Sequence, residues 1–161
     1  MKTLYLVRHA EASPSNPLIK DYNRPLRKSG CEDAQKMGLY LKSKQFIPDY
    51  ILCSASKRTQ ETTTLLLDEL YSIDYEKSIY GAALNEMLIM ITSINNQYHS
   101  AMIIGHNPTI TFLVNHLSDA IIDYIPTCGV AIIQFHCTSW LEIKENGKLI
   151  DFSSPKKLTL L

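Results

Sequence analysis

The sequence has no excess of charge of either sign, since sixteen basic residues balance sixteen acidic ones. Binding to nucleic acid or to an anionic membrane requires a strongly basic face, so we expect neither as a partner. Long hydrophobic runs are also lacking. The apolar stretch near the N-terminus is limited to residues 4–7, which is too short for a signal peptide. No run approaches the ~18 apolar residues of a membrane span.

Paired cysteine motifs are lacking as well. The four cysteines form no CxxC pair, and no histidines accompany them at zinc-ligand spacing. We expect reduced, mostly buried thiols in a cytoplasmic protein: Cys31, Cys53, Cys128 and Cys137. The P-loop and GxGxxG patterns are absent too, so a nucleotide cofactor has no support.

Short apolar runs alternate with helical periods along the 161 residues, which we interpret as one domain, residues 1–161. Strands are predicted at 2–7, 50–53, 101–104, 129–135 and 140–144. Helices are predicted over 58–70 and around Ala34, Met37 and Leu41, around 84–91 and around 110–117. The alternation predicts an α/β fold: a three-layer sandwich with a mostly parallel central sheet and helices on both faces. The last two strands are expected to form an antiparallel hairpin, and 10–28 to form a long loop.

Charged side chains follow three of the predicted strands. Arg8 and His9 come directly after the first strand, Arg58 opens the helix after the second, and His106 follows the third. In parallel α/β sheets, ligands bind beyond the carboxyl ends of the strands. We therefore expect these four side chains to meet at one edge of the sheet and to form a pocket for a dianion.

The sequence GHNP, residues 105–108, predicts how the chain turns from the third strand into its helix. Gly105 permits a sharp turn. Asn107 is expected as the N-cap and Pro108 as the first helical residue.

The four residue types suit phosphoryl transfer. A neutral imidazole at His9 can attack phosphorus and form a covalent phosphohistidine. Arg8 and Arg58 can hold phosphoryl oxygens in bidentate fashion. A protonated His106 is expected to add positive charge in the transition state. Water then hydrolyses the phosphoenzyme, and with these donors no metal is required.

Four motifs, LVRHAEAS, RPLRKSG, SKRTQET and IIGHNP, resemble in this order those of the histidine phosphatase superfamily. The chain is most similar to the short branch of SixA-type phosphohistidine phosphatases, over essentially its whole length. The resemblance implies a phosphoglycerate mutase-like fold, with His9 as the phosphorylated nucleophile. Arg8, Arg58 and His106 would complete the phosphate pocket. Arg24 of the RPL motif is a further candidate, for which a solvated loop arginine is the alternative.

The sequence departs from the family pattern at two positions of the first motifs. Ala10 stands where many members have glycine. Arg27 stands where the family often has a threonine that caps the next helix. Because arginine cannot fill that role, Ser29 is a candidate to cap the helix instead.

The sequence offers no clear match for the carboxylic acid with which larger members protonate the leaving oxygen. Glu76, Asn85 and Glu86 lie in the relevant region, but Glu86 fits the exposed face of a helix. An alkoxide leaves poorly without a proton, whereas imidazole, with a conjugate-acid pKa of about 6.5, can leave as a neutral ring. The missing acid therefore favours a phosphohistidine-bearing protein as substrate.

Three other functions fit parts of the sequence. Cys53 and Arg58 are spaced C-x4-R, one residue short of the C-x5-R loop of cysteine phosphatases. A noncatalytic phosphoprotein-binding module would not need His9 and His106. A small-molecule phosphomonoesterase on the same scaffold, acting on a small phosphate substrate, is the third. The short gap between Arg58 and His106 leaves little room for an insertion that covers such a substrate.

Overall fold

A computed structural model of the protein describes residues 1–67 and 71–159. Its sheet has six strands in the spatial order β3-β2-β4-β1-β5-β6. They are β1 (Lys2–Arg8), β2 (Tyr50–Ser54), β3 (Asp74–Glu76), β4 (Ser100–Gly105), β5 (Val130–Phe135) and β6 (Lys148–Ser153). The β1–β4, β2–β4 and β2–β3 pairs are parallel, whereas β1–β5 and β5–β6 are antiparallel.

Helices cover both faces of this sheet. They are α1 (Lys28–Ser43), α2 (Lys57–Leu66), α3 (Leu84–Thr92), α4 (Thr109–Leu117) and α5 (Pro155–Thr159). Successive residues of a strand point to opposite faces. Leu4 and Leu6 of β1 accordingly pack in a core with α3 and α4, while Tyr5 and Val7 pack in a second core with α1 and α2. The predicted three-layer α/β sandwich is confirmed, and three of its five strand pairings are parallel.

The predicted strand at 140–144 is wrong. Trp140 begins a short 3-10 helix, Trp140–Glu142, and its buried indole N–H donates to the Tyr98 carbonyl at 2.9 Å. On the side away from β1, β5 pairs with β6, so the last two strands are antiparallel as expected but are joined through 136–147. Strand β3 was not predicted. The predicted helix at 58–70 ends at Leu66, and its last three positions lie outside the described residues.

Two helix starts also differ from prediction. Arg27 is the N-cap of α1, although among the described residues its side chain makes no capping bond, and Ser29 lies inside the helix, donating to Glu11 at 3.0 Å. Pro108 is the N-cap of α4, which begins one residue later. The Asn107 amide instead donates to the Ile125 carbonyl at 2.9 Å, and so joins the start of α4 to the segment before β5.

The segment between β1 and α1 is mostly irregular and contains the short helix Asp21–Asn23. An isolated antiparallel bridge between Ala12 and Leu26 brings its two ends together. This folded loop lies against the start of α2 through Asp21 and Arg58. Among the described residues, no helix is long and apolar enough to cross a membrane.

Candidate active site

His9 is held rigidly at the carboxyl end of β1. Its backbone N–H donates to the Gly105 carbonyl of β4 at 3.2 Å, and its carbonyl accepts from the Cys128 N–H at 3.0 Å. The ring nitrogen Nδ1 lies 2.7 Å from the Ala10 carbonyl. Because a carbonyl can only accept, Nδ1 carries the proton, and this tautomer leaves the lone pair on Nε2. His9 is therefore anchored through its backbone and keeps Nε2 unprotonated.

His106 lies beside His9 because β4, which it follows, pairs with β1 in parallel register. The two ring centroids are 5.4 Å apart. Nε2 of His106 lies 2.8 Å from the Ser54 hydroxyl, which also accepts a long bond of 3.5 Å from the Ser56 N–H. When Ser54 donates its proton to Nε2, the imidazole proton lies on Nδ1. His106 then offers an N–H donor.

Three arginines surround this histidine pair, and each is anchored through one terminal nitrogen to a backbone carbonyl. The anchoring contacts are Arg8 Nη1 to Ile125 O (3.0 Å), Arg24 Nη1 to Ser13 O (2.8 Å) and Arg58 Nη1 to Asp21 O (2.8 Å). Arg24 also lies near the strand ends, since burial and, to a smaller extent, its charge lower the pKa of His9. Its side chain is bonded to the loop and is 25% exposed.

The same side chains carry buried donors that lack a protein partner. Over residues 1–67 and 71–159, the buried side-chain nitrogens or oxygens without a hydrogen bond are Nε of Arg8, Nε of Arg24, Nε of Arg58 and Nδ1 of His106. Leaving one buried donor unpaired costs about 1–3 kcal/mol. Three such donors on neighbouring arginines, beside the unpaired Nδ1 of His106, indicate a site built for an anion with several acceptor oxygens.

Asp21 is a member of this site that the sequence analysis missed. Its Oδ1 accepts from Arg24 Nη2 at 3.0 Å, and its Oδ2 accepts from Arg58 Nη2 at 3.1 Å and from the Tyr80 hydroxyl at 2.6 Å. The Tyr80 hydrogen bond and the charge of Arg58 lower the pKa of Asp21 to about 2, so the carboxylate is ionised. A carboxylate three residues before the RPL arginine was a visible signal for this pairing. No comparable signal marked Tyr80.

Both histidines are neutral at neutral pH. Burial, with the nearby charges of Arg58 and Arg8, lowers the pKa of His9 to about 4. Burial and the charges of His9 and Arg58 lower the pKa of His106 to about 3. Neutrality is what a nucleophilic imidazole requires. His106 is therefore neutral in the free protein, and a protonated His106 in the transition state stays a prediction.

A pH titration of the free protein followed by nitrogen-15 NMR tests these pKa values. We expect His9 and His106 to stay neutral down to about pH 5 and to take up protons near 4 and 3. In the unfolded chain a histidine has a pKa of about 6.5. Between those values the unfolded chain binds more protons, so stability should fall as pH drops below about 6.5. Titration of either ring near 6.5 would contradict this account.

A cavity of about 360 Å³ adjoins His106 and Arg58. Its lining is mixed. Tyr80, Asn107 and Thr109 are polar, and one part of the wall is apolar: Ile79, Ala82, Met87 and Ile110. The acid candidates from the sequence point elsewhere. Glu76 accepts from Ser78, Glu86 accepts from the Ala83 N–H at 3.2 Å, and Asn85 is exposed. Glu76 and Glu86 are therefore not among the residues that line this cavity.

The geometry at Cys53 contradicts the cysteine phosphatase alternative. The thiol is fully buried, with Sγ 3.2 Å from the Ser54 carbonyl and 3.1 Å from the Thr63 hydroxyl. Burial raises the pKa of Cys53 to about 12. A nucleophilic cysteine needs a low pKa and access to substrate, and Cys53 has neither. Within the described part of the chain, no three His, Cys, Asp or Glu side chains are arranged to hold a metal.

The chain is similar to known proteins both in sequence and in structure. The model of the histidine phosphatase superfamily (branch 1) matches residues 4–90, more than half of the chain. A structure named as a candidate phosphohistidine phosphatase SixA from Agrobacterium tumefaciens is 27% identical, with a TM-score of 0.80 over 96% of this chain and 99% of that one. A structure of the protein histidine phosphatase SixA complexed with tungstate is 21% identical, with a TM-score of 0.81 over 97% and 99%. An uncharacterized chloroplastic protein of Arabidopsis thaliana is 29% identical over 88% of this chain and 70% of its own length.

Proposed function

Because the chain belongs to the histidine phosphatase superfamily (branch 1), we propose that it is a phosphatase acting through a phosphohistidine intermediate on His9. The observation that carries the proposal is the unprotonated Nε2 of His9 beside the unpaired buried donors of three arginines. A nucleophile and an anion site thus meet without any rearrangement of the backbone. The catalytic domain that we propose spans residues 1–161 and acts in the cytoplasm.

The reaction takes place in two displacements at phosphorus. Arg8, Arg24 and Arg58 bind the phosphoryl oxygens, and His9 Nε2 forms a bond to phosphorus as the bond to the leaving group breaks. The N–H of His106 Nδ1 donates to an oxygen whose negative charge grows in the transition state. The Nδ1–H bond to the Ala10 carbonyl stabilises the positive charge that the imidazole ring gains. Water then attacks phosphorus, the P–Nε2 bond breaks with its electron pair returning to Nε2, and both water protons leave with the product as dihydrogen phosphate.

The substrate that we propose is phosphohistidine on a protein. Asp21, the carboxylate nearest the arginines, has its pKa lowered to about 2 and so holds no proton for a leaving group at neutral pH. The Tyr80 proton is engaged with Asp21. A leaving imidazole needs less proton donation than a leaving alkoxide. The SixA proteins with the same fold carry the names phosphohistidine phosphatase and protein histidine phosphatase, which supports this choice.

A small-molecule phosphomonoesterase is the second candidate, because the cavity of about 360 Å³ beside His106 can hold a small leaving group. The apolar part of its wall favours an activated aryl group over a sugar. A binding module without catalysis is disfavoured because binding alone does not require the lone pair of His9 to face the anion site.

A substrate panel tests the proposal. We expect kcat/KM for a phosphohistidine-bearing protein to exceed that for a sugar phosphate by about 10³-fold, the usual contribution of a general acid. An activated aryl phosphate, 4-nitrophenyl phosphate, should fall between the two. Faster hydrolysis of the sugar phosphate would favour the small-molecule candidate. Tight binding of the phosphohistidine protein without turnover would favour the binding module.

A further inference from the structure

We propose that Asp21 is a positioning residue, whose carboxylate and backbone carbonyl orient Arg24 and Arg58 for binding the phosphoryl group. The proposal rests on the phosphatase function proposed above, because it assigns a role in preparing the same site. The proposal assigns a role to Asp21, a charged side chain that takes no part in the two displacement steps.

Asp21 accepts hydrogen bonds from both terminal nitrogens of Arg58. Nη1 donates to the Asp21 carbonyl at 2.8 Å and Nη2 donates to Oδ2 at 3.1 Å. A guanidinium has five N–H donors in one rigid plane. With both terminal nitrogens fixed, that plane cannot rotate, and the buried Nε is left to a ligand. Asp21 thus fixes the guanidinium while leaving donors available to an anion.

Arg24 is held in the same way by two acceptors from the loop. Nη1 donates to the Ser13 carbonyl at 2.8 Å, and Nη2 donates to Asp21 Oδ1 at 3.0 Å. Its Nε is buried and, over the described ranges, is without a partner. One carboxylate therefore aligns two arginines from different parts of the chain, with an oxygen for each.

Tyr80 ties this carboxylate to the opposite wall of the site. Its hydroxyl donates to Asp21 Oδ2 at 2.6 Å, and its ring lies edge-on to Tyr22 at 5.0 Å and to His106 at 5.4 Å. The Arg58 guanidinium lies 5.7 Å from the centroid of the Tyr80 ring. Asp21 is consequently fixed from both sides and can hold the arginines in one orientation.

The net charge of the site indicates that Asp21 positions the arginines and does not block the anion site. Arg8, Arg24 and Arg58 bring three positive charges, and Asp21 removes one, which leaves two charges to match a phosphoryl dianion. The Asp21 side chain is 53% exposed at the rim, whereas the unpaired Nε atoms are buried. A carboxylate that imitated the substrate would compete for those inner donors, and Asp21 bonds to the terminal nitrogens instead.

The test compares tungstate affinity, measured by calorimetry, with turnover of 4-nitrophenyl phosphate. Asp21→Asn removes the charge and one acceptor, and we expect it to weaken tungstate binding about tenfold and to lower kcat/KM by about 10–100-fold, chiefly through a higher KM. Tyr80→Phe keeps the carboxylate and should cost less than Asp21→Asn. Glu32→Gln changes the net charge equally on the exposed face of α1 and should leave both quantities within twofold.

A double-mutant cycle separates positioning from a general effect on folding. If Asp21 acts through Arg58, then Asp21→Asn added to Arg58→Ala should weaken tungstate binding by less than the two separate losses predict. Unchanged or tighter tungstate binding in Asp21→Asn, or additive losses in the cycle, overturns the proposal. If the protein turns over none of the substrates while the losses in tungstate affinity are still coupled, that result rules out the phosphatase function but supports the positioning role of Asp21.

Discussion

Replacing His9 with alanine is expected to reduce turnover of every phosphorylated substrate to background, a loss of about 10⁴-fold or more. The reason is that His9 is the group proposed to bond to phosphorus, and its Nε2 is the ring nitrogen left unprotonated by the bond to Ala10. Rapid quench with substrate labelled on phosphorus should trap an acid-labile, base-stable label on the wild type. The label should be absent from His9→Ala, while tungstate affinity remains measurable because the arginines are intact.

Cys53→Ser is the matched control for this experiment. The thiol is buried against Ser54 and Thr63, and burial raises its pKa to about 12, so loss of its sulfur should leave both label and turnover within about threefold. Normal turnover in His9→Ala on the whole substrate panel would show that the catalytic assignment is wrong.

Replacing His106 with alanine is expected to lower kcat by about 10²–10³-fold, the usual loss when one donor to a developing charge is removed. The buried Nδ1–H disappears while His9 keeps its backbone anchors at Gly105 and Cys128. The quench experiment should therefore still trap label on His9, formed more slowly than in the wild type. Single-turnover kinetics measure that rate directly.

Ser54→Ala provides a graded comparison. It removes the hydroxyl that lies 2.8 Å from Nε2 of His106 but leaves the imidazole in place, so we expect a smaller loss than in His106→Ala. Turnover within threefold of wild type in His106→Ala would remove this residue from the proposed mechanism.

The sequence allowed the central strands to be predicted because burial leaves a continuous apolar signal. β1 and β4 are almost entirely buried, so their apolar runs end close to where the strands end. His9 and His106 could be placed together for the same reason, since parallel neighbours deliver their carboxyl ends to one edge. A pattern that depends on two core strands is little affected by details elsewhere in the fold.

The edge strands could not be predicted because they are partly exposed. β3 has three residues and no buried one, and β6 alternates exposed and half-buried positions over most of its length. Residues 140–144 resembled a strand more than β6 did, because they contain Trp140, Leu141 and Ile143. Trp140 and Ile143 are buried and Leu141 is 74% exposed, so this apolar content fills the core from a 3-10 turn.

The role of Asp21 could not be predicted because it depends on contacts between distant parts of the chain. Arg58 is 37 residues away and Tyr80 is 59 residues away. Local patterns report caps and periodicity, and they do not report how a long loop folds onto a helix. Even the local expectation that Ser29 caps α1 was wrong, because Ser29 bonds to Glu11 of the preceding loop.

The anchoring of the arginines has a consequence for the entropy of substrate binding. A free arginine side chain loses about 1.5–2 kcal/mol of rotamer freedom when it becomes fixed. Here the carbonyls of Ile125, Ser13 and Asp21 have already fixed all three guanidinium groups. That rotamer freedom is therefore lost when the chain folds, so the three arginine side chains lose little further entropy when a phosphoryl group binds. A weak, transient encounter with a phosphorylated partner can then suffice for chemistry, since ordering the arginines consumes little of the binding energy.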